Sequence, residues 1–202
     1  MPIIIDRLLN LARKARAENV PITIDAEEQY RLDISLQIFE TVLSHQDLAN
    51  WGDFGIVVQA YGKRALSLLH WLYALGNKLQ VNIPVRLVKG AYWDTEIKWA
   101  QQLGLSEYPV FTQKASTDLN FLACSRFLLN NQQKWLKPKF ATHNAWTVEF
   151  ILNLQSQVPF EFQRLQGMGE ALYDHVNKQH GITCRIYSPI GLHQELLPYL
   201  VR

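Results

Sequence analysis

Short apolar runs alternate with helical patterns along the whole chain. Six runs have the length of strands, and each ends in polar or aromatic residues: 21–25, 55–60, 84–89, 139–143, 160–165 and 184–187. Apolar residues at helical spacing predict helices in four stretches between them: 26–43, 64–76, 117–129 and 146–154. Because alternating strands and helices pair into parallel sheets with helical crossovers, the pattern predicts an α/β fold.

Polar side chains occur near the carboxyl ends of nearly all these predicted strands. They are Asp25, Gln59, Arg86, Lys89, Thr142, His143 and Gln163. An open sheet gathers its ligand groups at one switch point, whereas a closed barrel collects groups from every strand at its mouth. The pattern therefore predicts a (β/α)8 barrel of the TIM type. About six βα units are visible, so we interpret residues 1–202 as one partial barrel domain of a longer chain. We therefore expect two βα units and a terminal helix to be missing.

The segment 84–96, PVRLVKGAYWDTE, is the strongest candidate for an active-site strand. Its apolar run contains Arg86 and ends at Lys89. Two small residues and then two aromatic residues follow Lys89. Small residues let a ligand approach the backbone closely, and aromatic rings offer flat walls. The alternative is a buried strand that runs into an ordinary helix, but a charged strand interior needs a partner.

Composition excludes several classes of protein. The chain has 202 residues, 48% of them hydrophobic, and a formal net charge of +2, which implies no nucleic-acid partner. No window approaches the ~20 apolar residues of a membrane span, and there is no signal-peptide pattern. The two cysteines, Cys124 and Cys184, form no CxxC motif and indicate reduced thiols. GxGxxG and P-loop motifs are absent, so a Rossmann nucleotide site is not expected.

Two chemical alternatives arise from the same residues. Lys89 at a barrel strand end could be the nucleophile of a Schiff-base lyase or aldolase. His143 could join Asp25 and Glu27 in a metal site, but no HxH or HExxH pair supports it, and we predict no metal. Two cations among aromatics suit a large anionic, planar cofactor better. Gly167 and Gly169 form a turn that could present amides to such a cofactor or could be a plain turn.

Eight segments of the chain together resemble the proline dehydrogenase domain of bacterial proline utilization A. They are IDAEE, GIVVQAY, VRLVKGAYWDTEIK, YPVFTQK, FATHNA, FQRLQGMGE, CRIYSPIG and LLPYLVR. They follow the family's order and spacing over nearly the whole chain. The sequence departs from the family at Arg164 and Gln166, where the family usually has a cysteine or similar residue and a histidine.

The resemblance implies a flavoenzyme. In this family FAD accepts a hydride at N5 from L-proline, giving Δ1-pyrroline-5-carboxylate as the first step of proline catabolism to glutamate. Electrons then pass to a membrane quinone. The implied parent is cytoplasmic, associates peripherally with the membrane, and could carry an aldehyde dehydrogenase domain in the same chain. The family's first two strands have no counterpart in this segment, and its last helix begins but stops at Arg202. Because those strands contribute to the family's site, this segment itself could be inactive.

The resemblance also implies roles for individual residues. The cofactor-binding set is Gln59, Arg86, Lys89, Gly90, Ala91, Trp93, Thr112, Lys114, Thr142, His143, Asn144, Gln163 and Leu165. The substrate-binding set is Asp25, Tyr92, Tyr187 and Arg202, and the catalytic set adds Arg86 to these. Arg202 matches the first of two family arginines that hold the substrate carboxylate, and the chain ends there.

Overall fold

The computed structural model describes residues 1–130, 134–192, 194 and 196. Six strands occur in these residues: β1 (Ile22–Ile24), β2 (Phe54–Gln59), β3 (Ile83–Val88), β4 (Leu136–Ala141), β5 (Glu161–Leu165) and β6 (Cys184–Tyr187). All pairs are parallel, and the strands lie side by side in chain order. The sheet curls into a half-barrel with helices packed against it. The six predicted strands and the incomplete TIM-type barrel are confirmed.

Seven α-helices surround the described sheet. They are α1 (Pro2–Ala17), α2 (Leu32–Leu43), α3 (Ala65–Leu79), α4 (Trp93–Gln102), α5 (Lys114–Leu128), α6 (Ala145–Asn153) and α7 (Glu170–His180). Helices α1, α4 and α7 are additions to the four stretches that hydrophobic spacing predicts. Only Leu9 and Ala12 of α1 are buried, and only Glu96 and Ala100 of α4, so neither shows a broad apolar stripe.

The predicted start of the second helix at residue 26 is wrong. Residues 26–28 form a loop, a 3₁₀ turn spans Gln29–Arg31, and α2 begins at Leu32. Side chains from other elements bind the backbone of this loop. Gln59 Nε2 donates to the Glu27 carbonyl, and Glu96 accepts from the Gln29 N–H. These bonds replace helical ones in the loop that follows β1.

The core lies between the outer face of the sheet and the helices. In β3 and β4, buried residues alternate with partly exposed ones, as the two-residue period of a strand requires. Leu87, Phe140 and Phe162 are fully buried on three neighbouring strands. Burial of each such side chain contributes about 1.5–3 kcal/mol relative to exposure. The alternate positions, including Arg86, Lys139 and Glu161, therefore face the inside of the half-barrel.

Candidate active site

The carboxyl ends of the strands lie together because the strands are parallel and adjacent. Gln59 at the end of β2 is in register with Val88 of β3, and Leu87 is in register with Phe140 of β4. Asp25 directly follows β1, Lys89 follows β3, and Thr142–Asn144 follow β4. The predicted polar strand ends thus meet at one edge of the sheet, which is where barrel enzymes hold their active sites.

Arg86 and Asp25 form an ion pair inside the half-barrel. The Arg86 side chain is 19% exposed and that of Asp25 is 68% exposed, so the pair spans from the strand to the open mouth. Burial lowers the pKa of Arg86, and the nearby Tyr187 acts in the opposite direction. Tyr187 of β6 is in register with Leu165 of β5. Three of the predicted site residues therefore interact across the concave face.

Lys89 and Lys114 share one carboxylate. Asp118 Oδ1 lies 2.5 Å from Lys89 Nζ, and its Oδ2 lies 2.5 Å from Lys114 Nζ. Burial acts to raise the pKa of Asp118, but hydrogen bonds from the two lysines lower it overall. Sequence reasoning missed Asp118. Its spacing of four residues from Lys114 on a helix was the available signal.

Gln59 connects the loop after β1 to the loop after β3. Its Nε2 donates to the Glu27 carbonyl at 2.7 Å, and its Oε1 accepts from the Ala91 N–H at 3.4 Å. Gln59 is 7% exposed. One predicted cofactor contact thus also fixes the backbone beside Gly90 and Ala91.

Gly90 permits a close approach that no other residue would. Its φ is +132°, and a Cβ at this position would lie 2.5 Å from Cγ of the Tyr61 ring. The ring therefore packs directly on the glycine backbone, and Tyr61 is buried at 2% exposure. Gly90 and Ala91 are themselves exposed.

His143 accepts a hydrogen bond at Nε2 from the Leu165 N–H, at 3.1 Å. In the neutral ring this assigns the proton to Nδ1. Desolvation and then the nearby Arg164 lower the pKa of His143, which favours the neutral ring. Arg164 itself donates to the carbonyls of Leu165 and Met168, both at 3.2 Å. Arg164, one of the two residues that depart from the family pattern, therefore stabilises the loop beside His143.

Thr142 and Asn144 have local structural partners. The Thr142 hydroxyl accepts from the Asn144 N–H, and the Thr142 carbonyl accepts from the Tyr173 hydroxyl. Asn144 caps α6 by accepting from the Thr147 N–H at 2.9 Å. These bonds hold the FATHNA segment at the mouth.

The segment 110–114 is attached to the end of β2. The Phe111 N–H donates to the Tyr61 carbonyl, and the Phe111 carbonyl accepts from the Trp93 indole at 2.8 Å. Trp93 is 42% exposed, and the neighbouring Thr112 is exposed too. Trp93, Thr112 and Lys114 thus lie on the rim, whereas Arg202 lies outside the described residues.

A second charged group lies deeper in the half-barrel. Arg185 of β6 makes a bidentate pair with Glu161 of β5, at 3.0 Å for both nitrogens, and Lys139 of β4 lies 3.6 Å from the same carboxylate. Gln163 donates to Glu161 at 2.7 Å, so its amide is turned toward this cluster. Sequence reasoning missed Lys139, Glu161 and Arg185. The available signal was that these charged residues alternate with apolar residues along their strands.

The proline dehydrogenase family model matches residues 2–202. The chain belongs to the proline dehydrogenase family. It is 45% identical to the bifunctional protein PutA of Escherichia coli over 97% of this chain. It is 29% identical to mitochondrial proline dehydrogenase 2 of Arabidopsis thaliana over 98% of this chain. A crystal structure of a mutant of Bradyrhizobium japonicum proline utilization A superposes on 98% of it, with a TM-score of 0.93 and 49% identity.

The proline dehydrogenase segment covers only part of these relatives. It spans 16% of the E. coli PutA chain, 43% of the plant protein and 20% of the B. japonicum chain. That residues 1–202 are part of one barrel domain in a longer polypeptide stays a prediction. Within the described residues, no helix has the length and apolar character needed to cross a membrane.

Proposed function

We propose that this chain supplies part of the barrel of a FAD-dependent proline dehydrogenase, which oxidises L-proline to Δ1-pyrroline-5-carboxylate. Membership of the family supports the reaction. One observation carries the proposal. Arg86, Lys89, Gln59 and His143 lie together at one edge of the sheet, beside the exposed backbone of Gly90. The product is the first intermediate in proline catabolism to glutamate.

The residues at the mouth fit a large anionic, planar cofactor. Arg86 and Lys89 provide cations that are only 19% and 26% exposed, where charge interactions are stronger than in water. Lys89, Thr142, His143 and Asn144 would hold the ribityl and pyrophosphate part, while Thr112 and Lys114 would reach the adenine half. Trp93 would line this rim, and Gln163 and Leu165 would lie near the ring system.

The hydride acceptor comes from the cofactor, and the protein supplies orientation and charge. When bound, FAD supplies at N5 the acceptor for the hydride that leaves the ring carbon next to the proline nitrogen. Arg86 would stabilise negative charge on the flavin side, and the Gln59 amide would bond to the polar edge of the ring. The C=N bond of the product forms as the nitrogen loses a proton.

Tyr92 and Tyr187 would enclose the small proline ring. Arg202 would pair with the proline carboxylate, as its position in the LLPYLVR segment suggests, through the fork geometry that guanidinium groups favour. Asp25 would balance the cations of the mouth, because it already pairs with Arg86. Asp25 is not assigned as the proton acceptor.

The reducing equivalents must leave the site for another acceptor. We propose a membrane quinone, with peripheral membrane association of a cytoplasmic parent. The PutA relatives are bifunctional, which supports a second activity in that parent. The family resemblance implies that an aldehyde dehydrogenase domain supplies it.

The decisive experiment is the visible absorption spectrum of the purified protein, recorded before and after anaerobic addition of L-proline. A flavin spectrum that proline bleaches supports the proposal. Absence of flavin after reconstitution with FAD would count against it. If borohydride instead traps a carbonyl substrate on Lys89, the Schiff-base alternative holds. The contact with Asp118 argues against that outcome, because this carboxylate already holds Lys89 Nζ.

A further inference from the structure

Glu96 is a buried acid that the proposed chemistry does not use. It lies in the first turn of α4 and is 5% exposed. A buried carboxylate is costly unless it is hydrogen-bonded. Here one Glu96 oxygen accepts from the Gln29 N–H at 2.5 Å, across 67 residues of sequence. The acid therefore joins two segments that the strand order alone does not hold together.

Each of the joined segments carries a proposed substrate residue. Gln29 directly follows the loop that begins with Asp25, and Glu96 lies four residues after Tyr92, which occupies the N-cap position of α4. The Glu96 N–H donates to the Tyr92 carbonyl at 2.9 Å. One residue thus contacts both the backbone after Asp25 and the backbone of Tyr92.

The surroundings of Glu96 and Gln29 are also tightly packed. Tyr61 is 2% exposed, and burial and then the charge of Glu96 raise the pKa of its hydroxyl. A Cβ on Gly62 would lie 3.0 Å from the Gln29 side chain, so that side chain is packed against the end of β2. Burial, and then the nearby Glu28, raise the pKa of Glu96, while the Gln29 N–H opposes this.

We propose that Glu96 is a positioning residue, which sets the separation between the Asp25–Arg86 pair and Tyr92 across the substrate side of the mouth. The inference rests on the proposed function for its substrate residues, but the bond to Gln29 can be tested separately. The proposal predicts that removing the Glu96 carboxylate makes residues 25–29 less ordered. The residues on the proposed flavin side should keep their order.

The first test is hydrogen–deuterium exchange on the 202-residue chain. In Glu96→Ala, amides 26–31 should exchange at least tenfold faster, while those of β4 and α6 stay unchanged. Glu96→Gln keeps an oxygen acceptor and should remain within about threefold of the unsubstituted chain. Glu107→Gln, an exposed glutamate, is the matched control. Unchanged exchange at residues 26–31 in Glu96→Ala overturns the proposal.

The second test uses L-proline turnover by a flavin-loaded polypeptide that contains this chain. Glu96→Ala should raise KM about tenfold, equivalent to 1.4 kcal/mol, with kcat and flavin content within about threefold. Glu96→Gln should restore KM. Equal losses of kcat and flavin content would overturn the positioning role. If Glu96→Ala does not fold, Glu96→Asp replaces it with the same expectations. Lack of turnover in the unsubstituted enzyme would refute the proposed function, and the exchange result would still decide on Glu96.

Discussion

Arg86 and Asp25 pair with each other across an intervening strand. Arg86 lies on β3 and Asp25 follows β1, while β2 lies between them. Neighbouring strands are about 4.8 Å apart, so the long arginine side chain crosses roughly two strand spacings to reach the carboxylate. The pair holds the arginine along the inner surface of the half-barrel, directed toward the mouth. It gives the proposed flavin side a cation with a fixed direction.

Replacing Arg86 with Met should weaken flavin binding or lower the flavin reduction potential. The reason is the loss of a partly buried cation beside a ring that gains charge on reduction. We expect an effect of about 2–4 kcal/mol, roughly 45–90 mV for a two-electron couple. Potentiometry and flavin content of the loaded enzyme measure it. Arg13→Met, which removes an exposed ion pair with Asp47, should change neither quantity. An unchanged potential with full flavin content in Arg86→Met would rule out this role.

Gly90→Ala should destabilise the protein by about 2–4 kcal/mol, since the new methyl group would overlap the Tyr61 ring and φ is unfavourable. Urea unfolding measures the loss, and flavin content should fall with it. Gly104→Ala is a sharp control because its φ is also positive, at +63°, but nothing lies within 4 Å of the added Cβ. It should cost only about 1–2 kcal/mol, the cost of the left-handed conformation itself. Equal losses in the two variants would show that the contact with Tyr61 is unimportant.

Hydrophobic periodicity predicted the sheet well, because each strand must bury one face against helices. All six strands begin within three residues of the predicted runs. Helix α4 was not predicted because one of its buried positions is Glu96, and a charged residue normally indicates an exposed position. The start of α2 was wrong because Gln59 and Glu96, which are distant in sequence, bind the preceding loop.

The site was partly predictable for a related reason. Polar residues at strand ends, such as Gln59 and Lys89, stand out against apolar runs. Asp118 does not stand out, because acidic residues are common on helices and only the structure shows its ion pair with Lys89. Residue-by-residue roles at the site stay predictions.

The stability of the protein should fall at low pH partly through Glu161. Burial acts to raise the pKa of this group, but hydrogen bonds from Arg185 and Gln163 and the charge of Lys139 lower it overall, below the ordinary value of 4.5. The ionised form is therefore favoured by folding. Its contribution is fully present above pH 4.5 and is lost as pH falls through the lowered folded value.

Glu161→Gln should accordingly flatten the dependence of unfolding free energy on pH below 4.5, and should lower stability at pH 7 because three cationic or polar partners lose the carboxylate charge. Urea unfolding at a series of pH values measures both effects. Glu107→Gln is the control, because its side chain is 80% exposed. A pH dependence in Glu161→Gln that matches the unsubstituted chain would contradict the assignment.

Lys89→Met should reduce flavin affinity while leaving the fold intact. Asp118 keeps Lys114 as a partner when Lys89 is removed, so no carboxylate is left unpaired. Loss of one charge-assisted contact to the cofactor costs about 1.5–3 kcal/mol, roughly ten- to a hundredfold in the flavin dissociation constant. Lys114→Met is the matched variant on the same carboxylate. The Lys114 side chain is 78% exposed and that of Lys89 is 26% exposed, so the effect of Lys114→Met should be several-fold smaller. Fluorescence titration with FAD measures both constants, and thermal melting checks the fold. Equal affinities in Lys89→Met and the unsubstituted protein would remove Lys89 from the proposed cofactor site.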